Sequence, residues 1–312
     1  MKFSSILLIT LLLIEINYSQ DFQNDLTVIS NSGVDIDLVY GMYPCATDGY
    51  DEGIDEHGFT FPGSWGVNFI DTVNFEIYFK MINTSSVNES KEFLLELYWG
   101  FESGMTIFWD NHLFQDIGQF IIEDYVWQDD SSGSLFSIDM ASQDSVYLDN
   151  QDIFHLKIFV TAHPPSRSKT VESDWNLISL PFNVSDSDYL SLFPDAIPGT
   201  LYGYNDGYQN ESELLPGKGY WLRFPNAGET TLTGEEFGSI ALNLNSGWNI
   251  ISGVSLPVAF SDILDPGSIL IPDTFYSYTS GGYTSADSLQ PGVGYWVRTS
   301  QTGEITISCQ GE

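Results

Sequence analysis

The chain is 312 residues long and carries 9 basic against 43 acidic residues, a formal net charge of −34. This acid excess excludes nucleic acid as a partner, because almost no cations are available to neutralise phosphates, and it disfavours anionic membrane surfaces. With 42% hydrophobic and 15% aromatic residues the chain can still bury a core, and its length suggests two or three domains.

Residues 1–20 read as a secretory signal peptide: Lys2 supplies the positive start, Ile6 to Ile14 an apolar run broken only by Thr10, and Ser19 and Gln20 the cleavage region. The run is shorter than the roughly 20 apolar residues a membrane span needs, and no later segment qualifies. The mature protein is therefore expected to be secreted or at the cell surface, with no membrane span.

Residues 21–161 are expected to form a β-sandwich. Short runs rich in Val, Ile, Phe and Tyr recur between Gly, Asn, Asp and Ser: Val73 to Met81, Phe93 to Trp99, Gln119 to Trp127 and Ile153 to Val160. In the first, Val73, Phe75, Ile77, Phe79 and Met81 alternate onto one face, read as the buried one. Asp48, Asp51, Glu52, Asp55 and Glu56 crowd nine residues that include Gly49 and Gly53. Hard oxygen ligands on a glycine-containing loop suit Ca²⁺, although the spacing is not that of an EF-hand. The alternative is an acidic surface loop, with Asp48 holding an Asp-Gly turn. No other cofactor is expected.

Residues 162–172 contain Pro164-Pro165 in a polar stretch and read as a linker. Cys45 and Cys309, the two cysteines of the sequence, fall on either side of it, and two unpaired thiols are expected in preference to a bond.

Beyond the linker the chain repeats itself. Trp175-Asn176-Leu177-Ile178-Ser179 matches Trp248-Asn249-Ile250-Ile251-Ser252 at a shift of 73, and Pro216-Gly217-Lys218-Gly219-Tyr220-Trp221 matches Pro291-Gly292-Val293-Gly294-Tyr295-Trp296 at a shift of 75. Tyr202, Tyr204 and Gly207-Tyr208 match Tyr276, Tyr278 and Gly282-Tyr283. Two small β-units are expected, over residues 168–239 and 240–309, each of about five short strands. The whole is thus expected to be all-β. No third unit follows the second closing strand, as in a segment of a longer chain.

The two units resemble the Trp-Asn-Leu … Pro-Gly-x-Gly-Tyr-Trp modules of secreted, multi-domain bacterial surface proteins, which often precede the sorting domain used in type IX secretion. Leu38-Val39-Tyr40-Gly41, Ala46-Thr47-Asp48-Gly49-Tyr50-Asp51 and Asp55-Glu56 resemble a companion module of such proteins, with Cys45 where Asp is usual and no Pro run after Glu56. The resemblance implies an accessory role at the cell surface and no enzymatic activity.

One ring of each Tyr-Trp pair is expected in a core. The other can join a platform for sugar rings: Tyr202, Tyr204, Tyr208 and Trp221 in the first unit, and Tyr276, Tyr278, Tyr283 and Trp296 in the second. The competing reading packs both rings, one within its unit and one against the neighbour. Arg223 and Arg298, equivalent in the two units, are expected to pair with a carboxylate or stack on a ring. The four histidines are scattered, and no nucleophile elbow, phosphate loop or dinucleotide fingerprint occurs. The leading expectation is a non-enzymatic structural or interaction protein whose partners are other extracellular proteins or glycans. Carbohydrate binding is the alternative, and a glycan-active enzyme the weakest reading.

Overall fold

The computed structural model describes residues 22–59, 63–71, 73–84, 90–112, 114–127, 130–279 and 281–309. The expected signal peptide lies outside them. The regular structure is almost entirely β, as the short branched and aromatic runs require. Among the described residues no helix is long and apolar enough to cross a membrane.

The amino-terminal part is one 11-stranded sheet instead of the expected pair of sheets. Across it run Ser145–Leu148, Met105–Trp109, Phe22–Ser30, Asp35–Tyr43, Ile77–Thr84, Gly66–Ile70, Lys91–Tyr98, His155–Ala162, Gly118–Val126 and Ser131–Asp139, with Glu56–His57 paired off Ile77–Thr84. Gly66–Ile70 is the strand that joins what would otherwise be two halves, because it pairs on one side with Ile77–Thr84 and on the other with Lys91–Tyr98. The sheet curls over its own core. Phe22 and Phe120 lie on strands six places apart, roughly 29 Å in a flat sheet, yet their ring centroids are 5.0 Å apart. One buried cluster, including Leu26, Tyr40, Phe69, Phe93, Ile122 and Ile158, fills the interior.

Asp35–Tyr43 and Ile77–Thr84 are parallel, so a crossover must connect them, and the acidic loop lies in that crossover. The strand read from Val73 begins only at Ile77. The Asp71 carboxylate accepts hydrogen bonds from the Val73 and Asn74 amides at 2.7 and 3.3 Å, which makes the preceding residues a turn, and Phe75 takes a left-handed φ of 59°. Val73 and Phe75 are therefore 80% and 73% exposed, and the face is the reverse of the one expected: Tyr78 and Ile82 enter the core, while Ile77, Phe79 and Met81 are half-buried.

The pairing of Gly118–Val126 with Ser131–Asp139 slips between Glu123 and Tyr125. Asp124 sits at the slip, buried, and its carboxylate accepts the Leu135 and Phe136 amides at 2.8 and 2.9 Å and the Ser134 hydroxyl at 2.9 Å. Burial alone would raise its pKa; these hydrogen bonds outweigh burial and hold it below the ordinary aspartate value. A depressed folded-state pKa stabilises the fold above the unfolded-state value, and this contribution is lost as pH falls through the folded one. Asp124→Ala strands two amides and should cost about 1–3 kcal/mol in denaturant unfolding at neutral pH, with the gap to the parent narrowing in acid.

The stretch read as a linker is mostly strand. Ser166–Val171 pairs with the closing strand Gly228–Thr233 of the first unit, leaving His163 to Pro165 as the connection. Alternating Ser166, Ser168 and Thr170 reads as polar linker sequence, but these residues lie on the outer face of an edge strand, where burial is not required. The cysteines also differ from expectation: Cys45 and Cys309 form a disulfide, their Cα atoms 5.8 Å apart. Gly238 makes this approach feasible, since a Cβ there would lie 2.5 Å from the Pro44 carbonyl oxygen and 3.0 Å from the Cys309 sulfur. Domain assignment by sequence separated the cysteines; packing of the acidic crossover against the last strand brings them together.

The two repeat units have one topology. In each, an opening strand (Ser166–Val171 or Ser239–Leu244) pairs with the closing strand (Gly228–Thr233 or Gly303–Ser308). Beside this ribbon, the Trp-Asn strand (Asp174–Ser179 or Gly247–Ile251) pairs with the Tyr-Trp strand (Gly219–Phe224 or Tyr295–Thr299). The Tyr-Trp strand pairs in turn with a Tyr-x-Tyr hairpin, Tyr202–Tyr204 with Tyr208–Asn210 or Tyr276–Thr279 with Gly282–Ser285. The repeated Asn explains itself locally. Asn176 accepts the Glu172 amide at 2.9 Å and donates to the Glu172 carbonyl at 2.8 Å, and Asn249 does the same to Asn245 at 3.0 and 2.9 Å. Each therefore clamps the turn before its strand, where Asp174 and Gly247 take left-handed φ values of 75° and 97°.

Candidate functional site: an aromatic groove between the repeats

Alternation along the Tyr-Trp strands sends neighbouring rings to opposite faces. Tyr220 and Tyr295, each 2% exposed, enter the cores of their own units. Their hydroxyls accept the Leu215 and Gln290 amides at 3.1 and 2.9 Å and so fasten the Pro-Gly-x-Gly turns. Trp221 and Trp296 leave on the other face and meet between the units, with Leu177 and Ile250.

The contact is reciprocal, as in a two-fold interface within one chain. The Ser179 amide donates to the Gly292 carbonyl at 3.3 Å, and the equivalent Ser252 amide to the equivalent Gly217 carbonyl at 3.0 Å. Isolated bridges join Ile178 to Val293 and Lys218 to Ile251. Tyr204 of the first unit packs on Trp296 of the second, and Tyr278 of the second on Trp221 of the first, both with centroids 4.8 Å apart.

The glycines of Pro-Gly-x-Gly divide two tasks. Gly217 and Gly292 have φ of 80° and 75°, as a tight turn requires. Gly219 and Gly294 touch at the centre of the interface: a Cβ on Gly219 would stand 3.0 Å from the Gly294 Cα and 2.9 Å from the Ile251 carbonyl oxygen, and one on Gly294 3.3 Å from the Gly219 Cα.

This docking leaves two adjoining clefts of about 460 and 450 Å³. The first is lined by Trp175, Tyr202 and Trp221 of the first unit with Tyr278 of the second; the other by Trp248, Tyr276 and Trp296 of the second with Tyr204 of the first. Tyr208 and Tyr283, 57% and 58% exposed, line both clefts and form the ridge between them. All eight aromatic residues picked out from the sequence are thus brought together. They do not form a flat platform: Tyr204 meets Trp296 at 71°, Tyr278 meets Trp221 at 75°, and Trp248 meets Trp296 at 90°, so the rings stand as walls. Trp221 and Trp296 are 8% and 9% exposed, which agrees with packing against the neighbouring unit.

Trp175 and Trp248 belong to the site as well but were read only as repeat markers. Arg223 lies over Trp175 at 5.9 Å and Arg298 over Trp248 at 6.0 Å, and Arg223 also donates to Asp174 at 2.6 Å, in line with the pairing expected of these arginines. Burial raises the Tyr283 pKa, with the Trp296 indole offsetting part of this, and burial pushes Tyr220 up to about 12. Both phenols stay neutral at physiological pH. The indole Nε1–H groups of Trp221 and Trp296 are buried; that of Trp296 acts on the Tyr283 hydroxyl, and that of Trp221 makes no hydrogen bond.

The acidic loop does not gather its carboxylates. Asp48 holds the Lys91 ammonium with both oxygens at 2.9 Å. Asp51 accepts the Thr47 amide and hydroxyl at 2.6 and 3.1 Å, and Asp55 the Asp51 and Ile82 amides at 2.7 and 2.8 Å. Burial raises the Asp55 pKa despite those two bonds. Glu52 and Glu56 are exposed. Among the described residues no group of three or more His, Cys, Asp or Glu side chains is placed to hold a metal ion, and the loop is tied by Asx-type bonds.

Two other clefts are larger: one of about 520 Å³ lined by both repeats, including Glu211, Lys218, Leu242 and Asn245, and one of about 640 Å³ in the amino-terminal sheet that contains Lys91 and Lys157, whose ammonium groups are both matched by carboxylates, Lys157 meeting Glu92 at 3.1 Å. No protein-family model matches the chain, and no curated protein or solved structure matches it significantly.

Proposed function

We propose that the chain is a non-enzymatic binding protein of the cell surface or extracellular medium, and that its binding site is the aromatic groove between the two repeats. The observation that carries this reading is the lining of the groove: rings from both units, with no carboxylate or aliphatic side chain among the described residues that line it, and two exposed tyrosines at the centre. A pair of clefts this apolar is poorly suited to acid–base or nucleophilic chemistry and well suited to holding a ligand by contact area. The disulfide supports export to an oxidising compartment. Similarity of the repeats to modules of type IX-secreted surface proteins supports attachment to a larger surface assembly. Carbohydrate binding is the second reading, favoured by the exposed faces of Tyr208 and Tyr283.

The test is retention of labelled mature protein on native cell envelopes. The parent should be retained, and Tyr208→Ala/Tyr283→Ala, which alters only exposed rings, should be released while keeping its circular dichroism spectrum. Equal retention of both would remove the groove as the site.

A further inference from the structure

We infer that the groove takes a cationic, proline-rich peptide segment in the polyproline II conformation. This rests on the reading of the groove as the binding site and specifies its ligand.

Four observations favour this ligand class. The first is shape. Rings meeting at 71° to 90° leave slots between upright walls, into which a pyrrolidine ring wedges; a sugar ring needs an open flat face to stack on. Polyproline II helices, with three residues per turn and a backbone already fixed, lay successive proline ridges into such aromatic slots at little entropic cost.

The second is hydrogen bonding. The polar groups within the clefts are phenol hydroxyls and indole N–H groups, and the residues of this set most open to solvent are the ridge tyrosines Tyr208 and Tyr283. A proline tract displays carbonyl acceptors and has no N–H to satisfy, so it matches a lining of phenol donors. Glycan hydroxyls would ask for carboxylate and amide partners, and among the described residues neither lines the clefts.

The third is repetition. Two slots carrying equivalent rings on either side of the Tyr208–Tyr283 ridge suit a ligand whose shape recurs along its length. The fourth is charge. Among the described residues the lining rings are uncharged, Arg223 and Arg298 stand over Trp175 and Trp248 with Arg223 paired to Asp174, and the chain as a whole carries −34, so cationic residues flanking the prolines are drawn in by the long-range field without having to be buried.

The experiment titrates the ¹⁵N-labelled mature chain with three probes: an oligoproline flanked by lysines, the same peptide with Gly and Ser replacing every proline, and cellohexaose. Indole Nε1–H resonances and tryptophan fluorescence are followed. The oligoproline should shift the Trp221 and Trp296 indole signals and bind at least about tenfold more tightly than the Gly-Ser peptide, and Tyr208→Ala/Tyr283→Ala should weaken it by a similar factor. Equal binding of the two peptides, or no shift with either, overturns the inference. Shifts with cellohexaose alone overturn it while leaving the groove as the binding site. If no probe acts and the tyrosine variant is still retained on envelopes, both readings fall.

Discussion

A Cys45→Ser/Cys309→Ser variant should melt about 10 °C below the parent, and the parent should fall to the same temperature on reduction. The bridge closes a loop spanning 264 positions, nearly the whole described chain. In the chain-entropy view, closing so long a loop restricts the unfolded ensemble by about 5 kcal/mol, near the upper end for a single disulfide. Its place adds a second effect. One cysteine follows the second strand of the amino-terminal sheet and the other directly follows the closing strand of the last repeat, so the bridge holds the first and last folded parts together. Without it, calorimetry should resolve separate transitions for the sheet and the repeats, as expected of domains no longer coupled. An unchanged melting profile under reduction would mean that the bridge contributes nothing to the folded chain.

Gly219→Val is expected to be the most damaging single substitution in the repeats, at about 3 kcal/mol. Its Cβ alone would lie 2.4 Å from an Ile250 methyl and 2.9 Å from the Ile251 carbonyl oxygen, and backbone cannot yield as a flexible side chain can. The interface must open, so tryptophan emission should shift to the red as Trp221 and Trp296 meet water. Gly228→Ala is the matched control, because a Cβ there meets nothing within 4 Å, and it should change stability by no more than about 0.5 kcal/mol. Equal stability of Gly219→Val and the parent would show that the units do not meet at this glycine.

The repeat was legible because its markers each have a local task. Asn176 and Asn249 clamp turns, Gly217 and Gly292 supply left-handed backbone, and Tyr220 and Tyr295 fasten the Pro-Gly-x-Gly loops. Copied local tasks leave copied residues. That the groove rings would cluster was legible from the same motifs, but their arrangement was not. Whether Trp221 faces solvent or Trp296's unit depends on how two sheets dock, and alternation along one strand carries no information about its neighbour. Trp175 and Trp248 were hidden for that reason, although their equal register in both copies was a usable signal. The disulfide was out of reach because sequence separation says nothing about distance once a crossover folds back. The strand from Val73 was misread by phase: the Asp71 turn restarts the alternation at Ile77, and hydrophobic residues on a half-buried outer face look like core. The local partners of the acidic loop were not legible either: Asp51 and Asp55 accept nearby amides and Asp48 meets Lys91 from a distant strand.

The two copies dock face to face and build one groove from both. Ring-to-ring nuclear Overhauser effects between the repeats decide this arrangement. Two reciprocal sets are expected, Tyr204 with Trp296 and Tyr278 with Trp221. Cross-peaks confined to rings of the same unit would contradict it.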